Sequence, residues 1–192
     1  MQWSKTKSTL ESFLCDKLKG RIKLYATVYR KFPDCPARVW ITFDKKEIVS
    51  ASDLTYAVKH EKLYQLMKEE GSLSGIPYNP DWDVMFNSLE RQELIKASED
   101  TEEMMKNQSI FEGYHFYAPL IKYSSLSIDE AMNSENIIIK AYSMLDRRLG
   151  KRRLKQLIFT KDTHPLVVHF YKIRCEVEGL GIVEDANKTE KD

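Results

Sequence analysis

The chain has 192 residues, 42% of them hydrophobic and 11% aromatic, with 30 Lys/Arg against 29 Asp/Glu and a formal net charge of +1. That length and composition exclude a disordered or low-complexity chain and fit one domain with a real core. No apolar run approaches the roughly 18–20 residues needed to span a bilayer, and the start of the chain has no apolar signal-type core, so a cytoplasmic protein is expected.

In chain order, Leu10, Phe13, Leu14 and Leu18 recur at helical spacing before Gly20, which predicts a helix over 5–19. The period then becomes two: Ile22, Leu24, Ala26 and Val28 oppose Arg21, Lys23, Tyr25, Thr27 and Tyr29. Turn residues 32–36 follow, then a second alternating strand through Val39, Ile41 and Phe43, a turn at Asp44-Lys45-Lys46, and a short third strand over 47–50. Together these form an antiparallel β-meander behind a helix.

Ser52 and Asp53 are N-cap candidates for a helix running to about Glu70 and closed by Gly71. Trp82, Met85, Phe86 and Leu89 mark a helical stripe that loses phase beyond Leu89, so the acidic stretch 99–103 is expected to be exposed or irregular. Residues 114–121 alternate and are aromatic, but Pro119 demotes them to an edge strand or extended loop. Ser127 and Glu130 have capping-box spacing. Ile138, Tyr142, Leu145 and Leu149 form one face of a helix starting near Ser134, and Gly150 ends or kinks it, because Leu154, Leu157 and Ile158 fall on the opposite side. Pro165 opens the last helix, whose stripe is Leu166, Phe170, Ile173 and Val177 and whose stop is Gly179. The expected fold is α+β: an N-terminal helix, a small antiparallel β-meander and a helical C-terminal half. Residues 1–183 form a single domain, with 124–180 a candidate helical subdomain and 184–192 a disordered polar tail.

Trp3-Ser-Lys-Thr-Lys7, Leu10-Glu-Ser-Phe-Leu-Cys15 and Leu18-Lys-Gly-Arg21, with Met144-Leu-Asp-Arg-Arg-Leu-Gly-Lys-Arg-Arg-Leu154, resemble an uncharacterised family of bacterial proteins. The resemblance covers most of the chain. It implies a bacterial cytosolic protein and supplies no activity and no catalytic or binding residues.

The functional reading therefore rests on side chains. Between Asp146 and Lys155 lie six cations, Arg147, Arg148, Lys151, Arg152, Arg153 and Lys155, against the single acid Asp146. Such a run suits an acidic partner, whether nucleic acid or protein, with arginine supplying forked donors to phosphate or carboxylate. Its plainer reading is structural: Arg147 and Arg148 at a helix C-terminus, the rest paired with the acidic 99–103 stretch. A second candidate is the outer face of the first strand, where Arg21, Lys23, Tyr25 and Tyr29, with Trp40 on the neighbouring strand, alternate cations and aromatics as in single-strand nucleic-acid platforms. Ordinary strand composition with one solvated face is the better explanation of it, and no RNP-like aromatic signature sharpens the case.

Asp34, Asp44 and Lys46 superficially resemble a metal-dependent nuclease set, but a hairpin turn at 44–46 aims them into solvent. The four histidines have no ligand spacing, and the seven glycines form no phosphate- or dinucleotide-binding motif, so neither a metal nor a cofactor is expected and no local motif supports catalysis. Three cysteines without C-x-x-C spacing fit a reducing compartment. Cys15 and Cys175 are expected in the interior and Cys35 near the surface. The sequence thus reads as a non-catalytic binding protein that engages an acidic partner through residues 147–155. The alternatives are an immunity- or antitoxin-type protein-binding module and a metal-dependent nuclease.

Overall fold

Alternation of Ile22/Leu24, Val39/Ile41 and Val49/Ala51 with polar neighbours gives the sheet one dry face, and those six side chains are buried. The computed structural model describes residues 3–27 and 38–181. Its strands β1 (Ile22–Thr27), β2 (Arg38–Phe43) and β3 (Lys46–Ser52) form an antiparallel sheet in sequence order. Asp44 and Lys45 take φ of 48° and 68°, the two positive values that a tight hairpin between twisted strands requires. The expected turn at 32–36, with Asp34 and Cys35, and the tail 184–192 lie outside the described residues, as do Val28 and Tyr29.

Helix α1 (Trp3–Phe13) is shorter than the predicted 5–19. Leu14 leaves the helix to pair with Asp146: Cys15 N donates to the Leu145 carbonyl (3.1 Å) and Arg147 N to the Phe13 carbonyl (2.7 Å). Leu18 stays buried because residues 15–22 turn tightly rather than extend, and Gly20 takes φ 81°. Leu10, Leu14 and Leu18 are all buried, but the helix itself stops at Phe13.

Helix α2 (Asp53–Glu70) has the expected bounds, with Ser52 Oγ accepting from Thr55 N. The predicted stripe around Trp82 divides into α3 (Trp82–Phe86) and α4 (Leu89–Asn107), separated where Ser88 caps α4. Of the two expectations for residues 99–103, exposed or irregular, exposure holds for the three glutamates, while the backbone is regular helix. Small or flexible side chains at Ala97, Thr101 and Met105 bury one face at i+4 spacing while Glu99, Glu102 and Glu103 face out.

Residues 114–121 are also helical, within α5 (Gly113–Tyr123), not an edge strand or loop. Pro119 withholds one backbone donor, a cost of about 3 kcal/mol or more in a helix interior. Burial of Phe116, Leu120 and Tyr123, each worth roughly 1.5–3 kcal/mol, outweighs it. Asp53 reinforces the start of α5 by accepting from Gly113 N at 2.6 Å.

The capping box at Ser127 and Glu130 opens α6 (Ile128–Met132), and α7 (Ile137–Ser143) follows. Helix α7 ends seven residues before Gly150, so Arg147 and Arg148 lie beyond it in turn structure and do not cap its dipole. Gly150 precedes the single turn α8 (Lys151–Leu154). Helix α9 (Pro165–Glu178) closes at Gly179 (φ 67°), with Leu180 N returning to the Cys175 carbonyl at 2.9 Å. The result is the expected α+β arrangement, with one cluster of buried residues running from α1 through the sheet to α9.

Asp146 is the joint of this arrangement. Its carboxylate is fully buried and accepts from the Tyr123 hydroxyl (2.6 Å), the Arg148 guanidinium (2.7 Å from Nη2) and Arg148 N (2.8 Å). Arg148 also reaches the Leu126 carbonyl and stacks 4.0 Å over the Phe13 ring. Arg174 clamps the same turn by donating to the carbonyls of Leu145 and Asp146, both at 3.0 Å. Burial, reinforced by the Asp146 charge, pushes the Tyr123 hydroxyl far above its ordinary range, so it remains a donor. Removing one partner of such a buried pair strands the other. Asp146→Ala is expected to lower unfolding stability by about 3–5 kcal/mol in urea titrations, whereas Arg152→Ala should fall within about 0.5 kcal/mol of wild type.

Candidate basic binding face

The hub divides the cations of residues 147–155 into two sets. Arg148 is spent on Asp146, and burial of its charge is outweighed by that carboxylate's hydrogen bonds and charge, so its pKa stays above the usual value. Lys151 Nζ lies 2.5 Å from Glu178 Oε2, and Arg153 Nη2 lies 2.6 Å from Asp129 Oδ1. None of the three uses the acidic 99–103 stretch. Arg147, Arg152 and Lys155 are exposed, and among the described residues no carboxylate lies within ion-pair distance of them.

Beside them opens a cavity of about 370 Å³, where Lys17, Arg147, Lys151 and the buried Arg174 meet Asp16 and Glu178. Lys17, Arg174 and Glu178 are contributors that the sequence reading missed. Arg174 carried a signal: it sits between Ile173 and Cys175 on the helix whose stripe was recognised, and a cation there needs internal acceptors. Glu178 Oε1 lies 3.2 Å from Arg174 Nε. Burial raises the Glu178 carboxyl, but the Lys151 hydrogen bond and the Arg174 charge outweigh it and hold the group below its ordinary 4.5.

The second candidate face is internally engaged. Tyr25 and Trp40 are register partners whose rings stack at 5.0 Å, with Lys7 over Tyr25 and Arg38 over Trp40. Lys23 approaches Glu11, and Arg21 grips Asp44 with two hydrogen bonds while covering the Phe43 ring. The aromatic faces that would stack bases are occupied by one another and by cations. Asp44 is the arginine's partner in an exposed turn, its carboxyl lowered by that hydrogen bond. Among the described residues no group of three His, Cys, Asp or Glu side chains is placed to hold a metal.

A larger cavity, about 600 Å³, lies between α2, α4, α5 and the start of α7, and Glu99, Glu102, Glu103 and Glu112 give it the opposite sign. The two cavities thus carry linings of opposite sign. His164 ties the two halves near this cavity: Nδ1 accepts from Leu166 N and Nε2 donates to the Lys106 carbonyl at 2.7 Å, a structural pattern rather than a ligand's. Cys15 and Cys175 are buried free thiols, both raised chiefly by burial.

Comparison with known families settles membership, since one family model matches residues 2–175. The chain belongs to the SF0329 protein family. The match takes in Asp146, Arg148 and Arg174 and the whole cationic run, and ends before Glu178. No curated protein and no solved structure matches the chain. No helix among the described residues is long and apolar enough to cross a membrane.

Because the folded pKa of Glu178 is depressed, this group stabilises the protein fully above its ordinary 4.5, and that contribution is lost as pH falls through the folded value. Thermal melts across the acid range should show a shallower loss of Tm below pH 4.5 in Glu178→Gln than in wild type. An identical acid limb in the two proteins would contradict the assignment.

Proposed function

We propose that the protein is a non-catalytic binding protein of the bacterial cytosol that holds an acidic partner on the 147–155 face, with nucleic-acid phosphates the partner its chemistry favours. The observation that carries this reading is the exposure of Arg147, Arg152 and Lys155 without carboxylate partners, on a turn whose other cations are fixed internally. Arg147 follows the hydrogen-bonded Asp146 turn and Arg152 lies on α8, so their backbone is already ordered before binding. Lys17 and Lys151 extend the positive field across the adjoining cavity.

Nucleic acid is favoured over an acidic protein surface because a protein interface rests on desolvated aromatic or aliphatic anchors, and among the described residues of 144–164 Ile158 is the one exposed large hydrophobic side chain. Phosphate contacts need none. The buried, unpaired Cys15 and Cys175 support a reducing compartment.

Fluorescence anisotropy with labelled single- and double-stranded DNA and RNA, over a salt series, tests the reading. Three free cations predict a log–log salt slope of roughly −2 to −3, with little sequence preference. Arg147→Glu/Arg152→Glu/Lys155→Glu should abolish binding while leaving the melting temperature within a few degrees of wild type. Absence of binding at low salt would overturn the nucleic-acid reading, and undiminished binding by the triple variant would remove this face from it.

A further inference from the structure

The bridge between Leu14 and Asp146 sets the turn after α1 beside the turn after α7, and α9 packs behind both. The cavity of about 370 Å³ opens at that junction, within the range of roughly 300–1,000 Å³ usual for small-ligand sites. Its charged lining is Lys17, Arg147, Lys151 and Arg174 with Asp16 and Glu178, two more cations than acids. Asp16 is answered from outside the lining, by Lys19 at 2.6 Å. Glu178 keeps its oxygens on Lys151 (2.5 Å) and Arg174 (3.2 Å). The excess positive charge therefore lies on Lys17 and Arg147, neither of which has a carboxylate within ion-pair distance among the described residues.

Arg174 supplies a buried donor to this cavity. It is 3% exposed, and its Nη1 donates to the carbonyls of Leu145 and Asp146. Its Nε stands near Glu178 without hydrogen-bonding geometry, and its Nη2 has no hydrogen bond among the described residues. A guanidinium carries five N–H donors, and leaving them unanswered away from water is costly. An anion entering the cavity supplies the acceptors that the chain does not.

We infer that this cavity seats a phosphate monoester, the terminal phosphate of a bound strand, an assignment that rests on the nucleic-acid reading above and narrows it to strand ends. Charge and donor count select the group. A phosphodiester inside a strand carries one negative charge, whereas a monoester carries about −1.5 to −2 at pH 7 and presents three strong acceptor oxygens. The excess of two cations in the lining matches the monoester. The forks of Arg147 and Arg174, with the point charge of Lys17, suit three oxygens better than the two free oxygens of a diester. Glu178 orders Lys151 and Arg174 at the wall, and its ion pairs leave Lys17 and Arg147 to the ligand. Arg152 and Lys155, outside the cavity lining, hold the diesters that follow.

Anisotropy on the full chain with one internally labelled single strand, made with a 5′-phosphate, a 3′-phosphate or hydroxyls at both ends, reads the assignment as a ratio of affinities. One phosphorylated form should bind at least about tenfold tighter than the hydroxyl form. Inorganic phosphate, against chloride at equal ionic strength, should erase that difference. Lys17→Gln/Arg147→Gln should bring the ratio below about twofold, whereas Arg152→Gln should weaken all three forms alike and leave the ratio as in wild type. Equal binding of the three forms would overturn the inference while leaving the nucleic-acid reading in place. A preference that survives Lys17→Gln/Arg147→Gln would overturn the placement in this cavity. Binding of none of the forms would overturn the nucleic-acid reading and the strand end with it. Thermal melts in inorganic phosphate then decide the cavity separately: a Tm rise lost in Lys17→Gln/Arg147→Gln supports a phosphate site filled by a small free ester, and no rise removes the site.

Discussion

The buried carboxylate of Asp146 ties the N-terminal helix of this chain to its helical C-terminal half. Asp146 lies on the short bridge that joins Leu14 to the turn after α7, and everything it accepts comes from elements distant in sequence or from its own turn. Taking a carboxylate out of water costs several kcal/mol unless its lone pairs are filled, and here a hydroxyl, a guanidinium and a backbone amide fill them. Tyr142 supports the same seam by donating to the Leu10 carbonyl at 3.0 Å and meeting the Tyr123 ring edge-on at 4.8 Å. The N-terminal helix, α5, the 144–149 turn and α9 are thereby fixed relative to one another.

That constraint explains why a run of six cations can sit in a folded protein of nearly neutral charge. Arg148 is needed inside and Arg174 clamps the backbone from α9, while Lys151 and Arg153 find Glu178 and Asp129. The residual positive charge is confined to side chains that the fold does not use. The acidic side of α4 faces another cavity and joins none of these pairs, so the molecule keeps two surfaces of opposite sign.

Much of the architecture is legible in the sequence because its signals are local. The strand alternation at 22–27 and 38–43, the cap at Ser52, the capping box at Ser127 and the Pro165/Gly179 pair each act within a few residues. Failures occur where distant contacts override local pattern. Leu14 is drawn out of α1 by Asp146, and α5 keeps Pro119 because Phe116, Leu120 and Tyr123 are buried on one face. The stripe at Trp82 reads as helical by spacing, and spacing does not say whether a surface to cover it exists within the same chain. Of the site, the cations were legible as a group. Their division was not, because Tyr123, Asp129, Arg174 and Glu178 come from outside the run.

The division of labour within the run is the central claim, and parallel stability and phosphate-binding measurements on single conservative variants test it most directly. Arg148→Lys keeps the charge but loses the fork that grips Asp146, so urea unfolding should show a clear loss of stability with unchanged affinity for labelled nucleic acid in the folded protein. Arg152→Gln should do the reverse, weakening binding with no change in unfolding free energy. Arg148→Lys unfolding like wild type, or Arg152→Gln unfolding earlier while binding as before, would contradict the account.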